Sequence, residues 1–267
     1  MVSDKDFFGN DYLCVGKFKA FMKILVCISK TPDTTSKIAF DSDNMHLKEE
    51  GVSFIMNPYD EWYALVRGIE LREKLGGSVS VIHVGEATSE VIIRKALAIG
   101  ADQAIRIDTK PKDSNDVATQ IAHYAQNQSF DIVLLGKETI DHNGSEVGAL
   151  LAGMLAIPFI SYCTKLDVEG NELSATSEIE GGEVSLKTQL PAVVSAAKGM
   201  AEQRIPNMKG IMDAKKKPLE VISPVSDTQK VKLVRFEALP PKTAVKLIAP
   251  DDIDSLVKIL HEEVKVI

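Results

Sequence analysis

Between Met22 and about Leu155, short apolar runs alternate with segments of helical period. Met22-Lys23-Ile24-Leu25-Val26-Cys27-Ile28 reads as a strand, followed by a Pro32-Asp33 turn and a polar stretch to about Gly51. Asn57-Pro58-Tyr59-Asp60-Glu61 predicts a helix start. Asn57 is suited to cap, Pro58 to the first helical position, and the acidic pair to the positive end of the helix dipole. Trp62, Leu65, Val66 and Ile69 mark the buried face of this helix, and Gly76-Gly77 ends it. A strand is predicted over 78–84, a helix over 88–99 closed by Gly100, a strand over 103–107 and a helix over 114–126 capped by Ser114. Asp131-Ile132-Val133-Leu134-Leu135 is apolar without alternation beyond its first residue, the sign of a strand covered on both faces. Such a succession predicts βαβ crossovers and a parallel sheet between two helical layers.

The period changes after Phe159. Strand-like runs over 159–168, 172–178, 184–190 and 192–197 are separated by Glu169-Gly170 and Gly181-Gly182, and they are expected to be antiparallel additions to the sheet. From Lys198 the chain is punctuated by Pro206, Pro218, Pro224, Pro240, Pro241 and Pro250, and it ends in an amphipathic helix from Asp251 to about Val264. Ile253, Leu256, Val257, Leu260 and Val264 share one face of that helix, so this tail is expected to wrap a partner. The Lys215-Lys216-Lys217 run reads as a solvated face.

Composition narrows the function classes. A net charge of −7 gives no basic field for a nucleic-acid backbone or an anionic membrane surface. Cys14, Cys27 and Cys163 lie far apart, against a disulfide framework or a zinc site. The five histidines show no metal-binding spacing. No run approaches the ~20 apolar residues of a membrane helix. Residues 1–21 carry Asp4, Asp6 and Asp11 and resemble neither a signal nor a transit peptide, so Met22 is expected to open the fold in a cytoplasmic protein.

One stretch points to chemistry. After the apolar strand come Gly136, Lys137, Glu138, Thr139, Ile140, Asp141, His142, Asn143, Gly144, Ser145, Glu146 and Val147, then a small-residue helix starting near Ser145. A loop of this kind places backbone N–H groups and a helix N-terminus at the carboxyl edge of a parallel sheet, a natural phosphate seat. It is neither G-x-G-x-x-G nor a Walker loop, and a turn without ligand can share its composition. His142 is expected to be exposed, and no catalytic triad, carboxylate pair or activated cysteine is legible.

With these residues in view, the chain resembles the β subunits of electron transfer flavoproteins from Met22 almost to its end. The resemblance is carried by Ile24-Leu25-Val26-Cys27-Ile28 with Pro32-Asp33, by Asn57-Pro58-Tyr59, and by Gly136-Lys137-Glu138-Thr139-Ile140-Asp141. It continues in the run from Leu190-Pro191-Ala192-Val193-Val194 through Arg204 to Ile211-Met212-Asp213-Ala214-Lys215-Lys216-Lys217-Pro218. It implies a three-layer Rossmann-like domain, of the adenine-nucleotide α-hydrolase type, over 22–200, a partner recognition loop over 201–218, and a C-terminal arm over 219–267 that docks on an α subunit. It implies AMP in this chain and a redox-active FAD held mostly by the α subunit. Donors would be acyl-CoA dehydrogenases and the acceptor a quinone oxidoreductase, with no bond-making catalysis by this chain. Carried over residue by residue, the nucleotide would touch Cys27, Asn57, Pro58, Tyr59, Asp60, Val81 and the loop from Gly136 to Val147. Glu178 matches a glutamate near the path from donor to flavin, and Met208 the apolar anchor of the recognition loop.

The chain departs from the family pattern at two places. Ser177 stands where members often have Arg before the glutamate, and Glu146 where many have Gln. A carboxylate ~5 Å from a phosphate costs on the order of 3 kcal/mol at an effective dielectric near 20, so Glu146 is expected to point away or to take a partner cation. Two alternatives share the fold. One is a bifurcating flavoprotein with a second FAD in this site, against which Asp141-His142-Asn143-Gly144 stands in place of an Asp-Gly-Asp-Thr loop. The other is a stand-alone ATP-binding stress-type protein, against which the C-terminal arm argues.

Overall fold

The computed structural model describes residues 21–225, 229–241 and 244–267. Residues 1–20 of the stretch set apart above, including Cys14, lie outside the described residues. In chain order the elements begin with β1 (Met22–Cys27), β2 (Lys30–Pro32), β3 (Phe54–Met56), α1 (Asp60–Leu75), β4 (Gly77–Val84), α2 (Glu90–Ile99) and β5 (Gln103–Ile107). They continue with α3 (Ser114–Ala125), β6 (Ile132–Gly136), α4 (Val147–Leu155), β7 (Phe159–Glu169), β8 (Glu172–Ile179), β9 (Gly182–Gln189) and β10 (Ala192–Ala196). The last are α5 (Met208–Ala214), β11 (Leu219–Ile222) and α6 (Ile253–Lys258), which runs on as a wider turn over Ile259–Val264. By contacts the chain forms two units, one reaching Lys37 and resuming over Glu49–Leu233, the other Ile38–Lys48 with Val234–Ile267.

In the first unit, nine strands lie in the order β11-β5-β4-β1-β6-β10-β7-β8-β9. The run from β11 to β7 is parallel, and β8 and β9 continue it antiparallel. Strand β1 shows why its sequence is apolar on both sides. Ile24 and Val26 pack with α1 and α2 residues such as Leu65, Ile69, Ile93 and Leu97. Leu25 and Cys27 face α3 and α4 through Ala118, Ile121 and Leu151. Period-two alternation thus sends successive side chains into two separate apolar layers. Burying each such Leu or Ile contributes ~1.5–3 kcal/mol. This is the three-layer α/β fold expected from the sequence.

The order β5-β4-β1-β6 contains a reversal. The chain moves outward from β1 to β4 and β5, then returns to the other side of β1 with β6. A crevice therefore opens beyond the carboxyl ends of β1 and β6, where such sheets place ligands.

Several local expectations are corrected. Strand β10 is no antiparallel addition: it lies parallel between β6 and β7, and all five residues are buried. Its run Ala-Val-Val-Ser-Ala, small and apolar, suits a position covered on both faces. Strand β7 is likewise parallel to β10, so only β8 and β9 are antiparallel additions. The polar stretch after Pro32 hides the antiparallel β2–β3 pair. Helix α3 is capped by Asp113, whose side chain accepts from Asp116 N, and not by Ser114. The chain past Lys198 also keeps regular structure, since α5 packs on α2 and β11 adds a parallel edge strand beside β5.

Within the second unit, Phe40 stacks on Phe236 with centroids 4.7 Å apart, and Phe236 N donates to Asn44 O at 2.7 Å. Along α6 and its continuation, Ile253, Leu256, Val257 and Val264 are exposed.

Beyond β11 the chain is held to α3 by a buried amide. Gln120 Oε1 accepts from Val225 N at 2.8 Å, and Gln120 Nε2 donates to Val225 O at 3.3 Å. Leaving such backbone groups unpaired costs ~1–3 kcal/mol. Gln120→Ala is therefore expected to lower the urea midpoint with an unchanged m-value, whereas an unaltered midpoint would show that the clamp carries no stability.

Candidate functional site

The crevice is assembled from three chain segments. The first is the end of β1, where Cys27 is buried and burial raises its thiol well above the usual range. The second joins β3 to α1. The third is the loop from Gly136 to Val147, leading from β6 into α4.

Asn57 joins the second segment to the third. It is fully buried, its Nδ2 donates to Glu138 O at 3.0 Å, and its Oδ1 accepts from Ile140 N at 2.9 Å. This corrects the helix-cap expectation. Helix α1 begins at Asp60, its cap position is Tyr59, and no side chain caps it. Both ends of the Asn57 amide are engaged by the loop, and a buried amide with two backbone partners there does not leave them for a helix end. Pro58 is half-buried in the turn outside the helix. Tyr59 is 57% exposed and sits at φ 65° and ψ −96°, a sparsely populated region for a residue with a Cβ.

Gly136 lets α1 approach the end of β6. A Cβ there would lie 2.9 Å from Glu61 Cγ and 3.0 Å from Glu61 N. Glu61, read above only as a dipole-favouring acid, is buried and braces the chain after β1. It accepts from Ser29 N at 2.7 Å and Ser29 Oγ at 2.6 Å. Burial pushes its carboxyl up to about 8, with Asp141 and Asp60 adding to the rise against the pull of the Ser29 hydrogen bonds. Asp60 is raised to about 6, again chiefly by burial, with Lys137 opposing and Glu138 adding.

Beyond Gly136, Lys137 N donates to Ala196 O at 3.0 Å and Asn143 N to Thr139 O at 2.8 Å, closing the turn around Ile140 and Asp141. Asp141, His142, Asn143, Gly144 and Glu146 are exposed. Asn143 and Ser145 both take positive φ, 49° and 51°, and Glu146 occupies the position before α4 without capping it. Ser145 Oγ donates to Glu138 Oε2 at 3.2 Å. The first N–H groups of α4, from Val147 onward, have no intrahelical acceptor, as in any helix.

The structure thus brings Cys27, the Asn57–Asp60 turn and the 136–147 loop to one end of the sheet. Val81 is not there. It lies inside β4, fully buried in the core, three residues before the strand ends at Val84. Glu178 is the next-to-last residue of β8 and lines an open depression of about 660 Å³ with Tyr162, Ile179, Glu180 and Glu183. Met208 begins α5, is 75% exposed, and belongs to neither place.

Sequence reasoning missed Tyr162. Its ring lies 5.5 Å from Lys137 Nζ, its hydroxyl 3.4 Å from Ser145 Oγ, and it also borders the Glu178 depression. A register shift in β7 beside it and its positive φ of 51° turn it from the strand's alternation. In the sequence Tyr162 shares the apolar parity of Ile160, Leu166 and Val168, so nothing there announces that it turns out of the strand.

Fold and crevice define a Rossmann-like α/β protein with an open loop at its topological switch point. A profile of the electron transfer flavoprotein domain matches residues 44–227. Electron transfer flavoprotein subunit beta of Bacillus subtilis is 36% identical over 260 residues, covering 92% of this chain and 100% of that protein. The human protein of the same name is 34% identical over 250 residues, covering 90% and 98%. That of Syntrophomonas wolfei is 35% identical over 234 residues, covering 86% and 91%. The chain belongs to the electron transfer flavoprotein family, among its β subunits. The family name implies a flavin-linked electron carrier rather than an enzyme, and the word beta implies a companion subunit. Among the described residues no helix is long and apolar enough to cross a membrane.

Glu61 makes stability depend on pH. A folded pKa of about 8 against an ordinary 4.5 means that the folded protein holds this proton more tightly than the unfolded chain. Its contribution is full below about pH 4.5 and is lost as pH rises through about 8. Glu61→Gln keeps the neutral shape and both Ser29 contacts, with its Nε2 donating to Ser29 Oγ. Its melting temperature relative to wild type is expected to rise steadily from mildly acidic to mildly alkaline pH. A difference that stays constant across that range would contradict a buried neutral Glu61.

Proposed function

We propose that this chain pairs with an α subunit and that the heterodimer carries electrons from acyl-CoA dehydrogenases to a quinone oxidoreductase. FAD is held mostly by the α subunit, and AMP lies in the crevice of this chain. The observation that carries the nucleotide reading is the 136–147 loop. It is pinned by Asn57 at one end and runs through two positive-φ residues onto the N-terminus of α4. Backbone N–H groups presented in this way receive a phosphate. The AMP phosphate is assigned to the Asn143–Val147 end, and the nucleoside to Cys27 and the Asn57–Asp60 turn. Asn57 acts through the loop that it holds.

Charge favours a monophosphate over a triphosphate. Asp60 and Glu138 lie beside the one lysine of the loop, Lys137. Each further phosphate charge within about 5 Å of an ionised carboxylate costs ~3 kcal/mol at an effective dielectric near 20. Glu146 is exposed just before α4, and in this reading its carboxylate is turned from the phosphate. When bound, the flavin supplies the redox chemistry. The residues of this chain orient the nucleotide, hold the companion through the C-terminal arm and present Met208 to the donor.

Nucleotides released by heat from the heterodimer are expected to be FAD and AMP, near one each. Two FAD would favour the bifurcating alternative, and ATP the stress-type one. Ser145→Asp is expected to lower AMP content and the melting temperature, because ligand loss removes linked stability. Unchanged AMP occupancy would contradict the loop assignment.

A further inference from the structure

Helix α5 has seven residues, too few to hold its shape alone in water. What holds it is α2. Gly210 rests so closely on that helix that a Cβ would come within 2.5 Å of Ala98 O. Arg94 Nη1 donates to Ala214 O at 2.9 Å and to Lys217 O at 2.8 Å, while Glu90 holds its guanidinium from the other side. Lys217 returns the contact. Its Nζ donates to Leu97 O at 2.9 Å and to Ala101 O at 2.6 Å, at the end of α2 where carbonyls lack intrahelical partners. Lys217 is therefore half-buried and no part of a solvated lysine face, unlike Lys215 and Lys216. At the entrance, Trp62 Nε1 donates to Arg204 O at 3.3 Å, and Arg204 grips Glu73 at 2.8 and 2.9 Å. Asn207 caps α5 through Gly210 N at 2.8 Å.

All this anchoring serves a segment whose apolar side chains contribute little to the core. Ile205, Met208 and Met212 are 87%, 75% and 65% exposed. Met208 and Met212 lie four residues apart and share one face of α5. We infer that Arg94 and Lys217 are positioning residues for docking: their reciprocal bonds seat α5 on α2 and present the Met208–Met212 edge to the dehydrogenase in one fixed attitude. The inference rests on the reading of Met208 as the donor contact. A preorganised edge meets its partner without the ordering cost that a loose loop incurs, so the seat governs encounter and leaves the flavin untouched.

The test uses the complete heterodimer, a purified acyl-CoA dehydrogenase as donor, and the variants Lys217→Met, Lys217→Arg, Arg94→Gln and Met208→Ala. Lys217→Met is expected to raise the KM for the dehydrogenase about five-fold or more, a change of ~1 kcal/mol in encounter. It should leave kcat, FAD absorbance and AMP content near wild type. Hydrogen exchange over 205–216 should quicken, and Lys217→Arg, which keeps the donors, should recover most of the KM. If Lys217→Met does not assemble, Arg94→Gln reads the same contact from the other helix. Faster exchange with an unchanged KM would overturn the inference, as would a rise in KM that follows flavin loss. Met208→Ala separates the two levels. If it leaves the KM unchanged, the reading of the docking contact fails. If it raises the KM while Lys217→Met does not, only the seat fails.

Discussion

The crevice depends on one buried amide. Asn57, between β3 and α1, holds the carbonyl of Glu138 and the N–H of Ile140 in the loop after β6. An amide fully removed from water is costly unless both its donor and its acceptor are satisfied, so the pair of bonds fixes the loop as firmly as it satisfies Asn57. Gly136 permits the approach, because any side chain there would strike Glu61. Glu61 extends the brace to Ser29 and thus to the end of β1. Segments distant in sequence converge at the place where the strand order reverses, and the loop reaches α4 already shaped.

Much of the fold was legible because parallel strands between two helical layers must be apolar on both faces. Strands β1 and β6 show that pattern in their sequences, and the glycines at 76, 77 and 100 mark helix ends. Position within the sheet was less legible. The run 192–196 is buried on both faces yet follows a hairpin in sequence, so it reads as one more strand in a meander. Its parallel place between β6 and β7 is decided by tertiary packing. Strand β11 was hidden by prolines on either side, at 218 and 224.

The site was legible as a loop and not as a mechanism of support. Small and polar residues from Gly136 to Ser145 announce a turn at a sheet edge. They do not disclose that Asn57 serves this loop, since asparagine before proline and two acids fits a helix start equally well. Val81 shows the limit of carrying positions over: strand geometry places it in the core, below the edge. Lys217 shows the same for charge runs, since only the contact with α2 distinguishes it from Lys215 and Lys216. The family name implies electron carriage, and the loop proposed as the nucleotide seat is held from beneath by Asn57, Gly136 and Glu61.

In the proposed heterodimer Asn57 shapes the nucleotide seat without touching the redox group. AMP and FAD retained by the Asn57→Ala heterodimer after gel filtration report on this role. AMP is expected to fall well below one per heterodimer while FAD and the far-ultraviolet circular dichroism remain as in wild type. Full retention of AMP with the amide gone would contradict that role.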